Sequence, residues 1–494
     1  MTARVFSSRS SAMPSETSTR AGRIIGSAMT KRRAISLFGL LLLAAGGVAA
    51  ALYLTNRREV TTSSDAAYRV YREAVANERA FYVKDARLGF AKALELDPDF
   101  VMAMLGLARL SEAAGQKEQS LSLIHRAERL KNRVNERERL QIDLQLAAWE
   151  KTAEERLKIA REILQRYPDD FRATTMVAMD EVKKGRMEEA VRLFTKLLEV
   201  DPNSADAYNQ IGYYYGFRGD YEKAIENLKK YQFMAPDQAN PHDSLGEIQA
   251  YSGHYDEAIA NLNRALSIKP DFFPAYDHLG VAYEGKGDYE KAIDNYLKAA
   301  ENVPVEEGKF FYLAKALRAT FEKGDLERAT GIHVRMEKLP KTERSDLWMA
   351  VISTGLDLIQ GRPADAERKL EELKPRIVEA ILKQKRPPGY KPYEAGWNYL
   401  MALAKVALGK EADAIPLYEE MANPPNGWAN FEDRRNVYEG RAELAALLAK
   451  RGQLERAEKL LEENKRWNPS WGPTRPAETT VAEVRRARVL ASAK

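Results

Sequence analysis

Pro168, Pro202, Pro236, Pro270 and Pro304 recur every 34 residues, and this period constrains the fold more than any other feature of the chain. Gly212, Gly246 and Gly280 keep the same spacing, as do Ala190, Ala224, Ala258 and Ala292, and Gly185, Gly219, Gly253 and Gly287. Four registers at one period describe a repeating unit too short to bury a core alone, so the copies must stack.

Residues 205–238 show what each register does. The spacing predicts a first helix from Ala205 to about Arg218, with Tyr208, Ile211 and Tyr215 on one face. Gly212 falls where two helices cross, and Gly219-Asp220 ends the first helix and turns the chain. A second helix runs from Tyr221 to about Met234, with Ala224 as the small residue at the return crossing. Pro236 stops it, because proline lacks an amide hydrogen and clashes with the preceding turn.

The pattern Tyr208, Ile211-Gly212, Tyr215, Ala224, Leu228, Tyr231, Pro236 resembles the tetratricopeptide repeat. The next two units carry it as His242, Leu245-Gly246, Gln249, Ala258, Leu262, Ala265, Pro270 and as Tyr276, Leu279-Gly280, Tyr283, Ala292, Tyr296, Ala299, Pro304. Weaker copies extend from residue 67 to 471, about eleven units in all. The resemblance implies an all-α, right-handed superhelical solenoid whose first (A) helices line a concave surface. It divides the chain into an N-terminal array (67–306), degenerate units (307–373), a Pro- and Lys-rich insertion (374–394), C-terminal units (395–471) and a capping tail (472–494). A second break is expected at 422–437, and a short helix from Thr480 should carry Val481, Val484 and Leu490 on one face.

Ahead of the repeats, Ala34 to Leu54 is an uncharged run. As a helix it spans roughly 31 Å, near the thickness of a bilayer's hydrocarbon core. It is expected to be a transmembrane signal anchor between a disordered basic segment (1–33) and a linker (55–66). Residues 1–33 carry a net charge of +6, with Lys31, Arg32 and Arg33 abutting the run. That bias keeps the N-terminus cytoplasmic and sends the repeats across, to the periplasm if the membrane is a bacterial inner one. Two other readings stay open: a signal peptide cleaved near Ala49-Ala50-Ala51, and a Ser- and Arg-rich organelle presequence. Met29 is an alternative start.

Residues 59–494 total −3, so the basic excess belongs to the membrane-proximal part and nucleic acid is not an expected partner. The chain has no cysteine, which removes disulfides and thiolate chemistry. Gly280 to Gly287 mimics a phosphate loop, but Gly287 stands where Ser or Thr would bind magnesium, and no strand precedes it. The five histidines do not pair at metal-ligand spacing, and no Gly-x-Ser-x-Gly elbow is present. No enzyme activity, cofactor, metal or small-molecule substrate is expected.

The resemblance places Asn209, Gln210, Tyr213, Phe217, Asp243, Ser244, Glu247, Tyr251, Asp277 and His278 on the groove. Asp243, Glu247 and Asp277 there favour a partner segment with basic or aromatic residues, unless the groove is simply solvated. Trp428, in the insertion Pro424-Pro425-Asn426-Gly427-Trp428, is either an interface anchor or a packing residue that folds back on its neighbours. The function these features imply is a membrane-anchored scaffold or adaptor for other proteins. The alternative is the extracytoplasmic sensor part of a transmembrane signalling system.

Overall fold

The computed structural model describes residues 59–383, 391, 394–425, 431–468 and 475–492. The expected membrane helix (34–54), the basic segment before it and Trp428 lie outside the described residues. Within them are 23 α-helices and no strand. No described helix is long and apolar enough to cross a membrane.

Twenty-two of these helices pair into eleven successive hairpins, from Asp65–Arg79 with Val83–Leu96 to Phe431–Lys450 with Leu454–Trp467. The unit read at 205–238 forms helices Ala205–Arg218 and Tyr221–Met234. The crossing glycines work by absence of a side chain. A Cβ on Gly212 would sit 2.7 Å from Leu228 Cγ, one on Gly246 2.7 Å from Leu262 Cγ, and one on Gly280 2.4 Å from the Tyr296 ring. The crossing alanines Ala190, Ala224, Ala258 and Ala292 are fully buried.

In three hairpins the turn follows from two residues. Gly219, Gly287 and Gly324 take positive φ, which reverses the chain cheaply only for glycine. The aspartate after each then caps the second helix: Asp220, Asp288 and Asp325 accept from the backbone N–H of Lys223, Lys291 and Arg328. The first hairpin departs from this. Phe81, in the glycine register 34 residues before Gly115, holds φ at 60° with its ring half exposed.

The breaks are shorter than the composition suggested. Helix Pro363–Leu382 runs straight through Pro375. Leu370, Leu373, Ile377 and Ile381 form a buried stripe on both sides of that proline, packed with Trp397, Leu400 and Met401. Burying such a side chain contributes about 1.5–3 kcal/mol, so the stripe outweighs the roughly 3 kcal/mol cost of an interior proline. Helix Phe431–Lys450 likewise starts inside the second expected break. The capping helix spans Arg475–Ser492 rather than starting at Thr480, with Pro476 in its first turn and Ala477 and Val481 buried against the last hairpins.

Both ends of the array reach its sixth hairpin, 239–268. From the first hairpin, Tyr82 accepts the Ala239 N–H at 2.9 Å and Asp85 pairs with Lys269 at 2.9 Å. From the last, Asn468 accepts the Tyr255 hydroxyl at 3.0 Å.

Candidate functional site

The A helices Ala205–Arg218, Ala239–Tyr251, Phe273–Gly285 and Glu306–Lys323 place their polar residues side by side. One residue per 34 returns to the same height on the next helix, so a polar position becomes a seam across hairpins.

In that seam, the Tyr213 hydroxyl donates to Glu247 at 2.5 Å. His278 Nδ1 lies 2.9 Å from Asp243, and its Nε2 lies 3.5 Å from Glu247. Lys315 Nζ stands 2.6 Å from Asp277 and within 5.5 Å of the ring centroids of Tyr296 and Phe311. Burial disfavours a charged His278, but the Asp243 and Glu247 carboxylates override it and raise its pKa to about 10, so the ring is cationic at neutral pH. Burial pushes the Glu247 pKa up, with His278 opposing.

The seam therefore differs from the open acidic groove expected from sequence. Tyr213, Asp243, Glu247, Asp277 and His278 do come together, and Phe217 stacks near Tyr213 with ring centroids 6.2 Å apart. The carboxylates, however, take their cations from this chain. Asp243 is 2% exposed and Ser244 1%, so neither faces open solvent. Asn209 and Tyr251 are buried too, and Gln210 is half-buried. Lys315 was missed because it sits in a degenerate unit, one helical turn beyond the strict register from Asp277.

A second charged stretch follows on later helices and was not visible in the repeat pattern. Glu284, fully buried, is held by both Arg318 and Arg435, the latter at 2.5 Å. Glu439 pairs with the same two arginines, at 2.6 Å from Arg318 and 3.3 Å from Arg435. Glu284 also accepts the Tyr296 hydroxyl at 2.8 Å. Beside this cluster stand Glu322, which accepts the Tyr399 hydroxyl at 2.8 Å, and Glu443. Burial, then the Glu439 charge, raises the Glu322 pKa to about 7. The same two causes raise Glu443.

Comparison with known proteins recovers the repeat. Models described as "TPR repeat" and "Tetratricopeptide repeat" match residues 246–287 and residues 193–226 and 273–302. The chain carries tetratricopeptide repeats. No curated protein matches it. Among solved structures, MamA from Desulfovibrio magneticus RS-1 is similar at 23% identity and a TM-score of 0.28, over 33% of this chain and 91% of that one. The Cut9–Hcn1 hetero-tetramer of the APC/C gives 16% identity and a TM-score of 0.44, over 90% and 81%. A mutant O-GlcNAc transferase from Thermobaculum terrenum gives 25% identity and a TM-score of 0.24, over 26% of this chain and 25% of its own. At these scores none of the three bears on function.

Proposed function

We propose that this chain is a membrane-anchored scaffold or adaptor that binds other proteins through its helical repeats. The observation that carries this reading is the array itself: eleven stacked hairpins from Asp65 to Trp467 form a long, multi-helix surface of the kind that tetratricopeptide repeats use to hold protein segments. Residues 34–54 serve as the anchor, the basic residues before them stay cytoplasmic, and the repeats lie on the far side.

Two measurements test it. Crosslinking in cells followed by affinity capture of the full chain should recover a defined protein partner, and recovery of none sinks the scaffold reading. A reporter active only outside the cytoplasm, fused after Lys494, should be active. Neutralising Lys31, Arg32 and Arg33 should weaken that orientation, and activity of a cytoplasm-only reporter on the unmutated chain would overturn the topology.

A further inference from the structure

The wall beyond the Glu284–Arg435 cluster has more carboxylate than cation. Glu284, Glu322, Glu439 and Glu443 converge there from helices Phe273–Gly285, Glu306–Lys323 and Phe431–Lys450. Arg318 and Arg435 are consumed by Glu284 and Glu439. Glu322 keeps only a tyrosine hydroxyl, and Glu443 makes no hydrogen bond or salt bridge to the described residues.

A separate observation points into the same place. Tyr418 is fully buried and its hydroxyl has no hydrogen-bond partner. That hydroxyl lies in the field of Glu443 and Glu322. The Tyr399 hydroxyl feels Glu322, Glu439, Glu443 and Tyr418 together, and Tyr289 feels Glu322 first. Three tyrosines thus surround two carboxylates whose cations, Arg318 for Glu322 and Lys450 for Glu443, act on them without forming a salt bridge. A buried hydroxyl without a partner is costly and marks a place where a donor or acceptor is missing. The site opens to solvent at Glu322, which is exposed, while the Tyr418 hydroxyl itself is closed off.

We infer that Glu322, Glu443 and Tyr418, with Tyr399 and Tyr289 around them, receive a lysine or arginine side chain from the protein partner. This rests on the scaffold reading above and adds where and how the partner is gripped. An ammonium or guanidinium group brings several N–H donors and no acceptor, which matches two carboxylates and a vacant tyrosine oxygen. Tyrosine rings add attraction for a cation. A partner anion is repelled by the surplus negative charge.

The test uses the full chain in detergent and fluorescein-labelled tetralysine, with a Gly/Ser tetrapeptide as control, at about pH 8, above the value of about 7 to which the Glu322 pKa is raised. Tetralysine should bind and the control should not. The Glu322→Gln/Glu443→Gln double variant should weaken tetralysine about tenfold or more, and Tyr418→Phe by a smaller factor, while Glu371→Gln on an exposed outer position leaves it unchanged. Removing repulsion should keep or raise the melting temperature of the double variant, so its loss of binding cannot be read as unfolding. In the wild type, binding should weaken as pH falls through about 7 and Glu322 takes a proton. Equal tetralysine affinity in the double variant and the wild type overturns the inference. So does undiminished capture of the cellular partner by that variant, which would leave the scaffold reading standing.

Discussion

Two charged stretches follow one another along the A helices, and they are resolved differently. In the upstream seam, Asp243, Glu247 and Asp277 meet His278, Lys315 and the Tyr213 hydroxyl, so each carboxylate has a partner inside the chain. In the downstream wall, Arg318 and Arg435 pair with Glu284 and Glu439 and leave Glu322 and Glu443 without a salt bridge. An acidic residue on a groove is therefore no guide to a partner until its own countercharge has been sought. The first stretch ties hairpins together, and the second holds a surplus that another molecule can neutralise.

The largest effect that separates them is on stability. His278→Ala leaves Asp243 and Glu247 buried without their cation, and breaking a buried pair in this way costs about 3–5 kcal/mol. Glu443→Gln removes a carboxylate that opposes a neighbour and should cost nothing. Urea denaturation of the two variants reads the difference directly. If His278→Ala unfolds at the wild-type midpoint, the seam is not a structural tie.

A smaller effect asks whether the two stretches are independent. Ala258 is fully buried in the sixth hairpin, beneath the seam. Ala258→Leu should overpack that crossing and cost roughly 1–3 kcal/mol. Tetralysine binding at the downstream wall should keep its wild-type affinity in this variant below its melting temperature. A parallel loss of binding would mean that the wall depends on the seam and that the two act as one unit.

What the sequence made legible follows from where the repeat is regular. Gly212 and Leu228, or Gly246 and Leu262, meet because one hairpin contains both, and local spacing reveals such pairs. Arg435 and Glu284 are 151 positions apart and meet through the curvature of the array, which no 34-residue pattern encodes. Pro375 reads as a break, but its helix is held by Ile377 and Ile381, whose burial depends on Trp397 in the next hairpin. The acids of the seam were found at their positions. Their pairing was not, because Lys315 belongs to a unit where the repeat has drifted.

The smallest effect concerns pH, and it distinguishes the stretches by window rather than by sign. Both His278 and Glu322 have pKa values raised by folding, so each stabilises the folded state most when protonated and loses that contribution as pH rises. For His278, burial works against the shift and the Asp243 and Glu247 charges produce it. Its contribution is complete below 6.5 and fades toward about 10. For Glu322, burial is the first cause and the Glu439 charge the second. Its contribution is complete below 4.5 and fades by about 7. Glu322 is solvent-exposed, so screening keeps its share small. Melting temperature measured across this range should fall in two stages. Glu322→Gln should flatten only the acidic one, and His278→Gln only the alkaline one. If Glu322→Gln leaves the acidic stage as steep as in the wild type, that carboxylate sits in ordinary solvent, and the downstream wall loses the contrast with the seam that sets it apart.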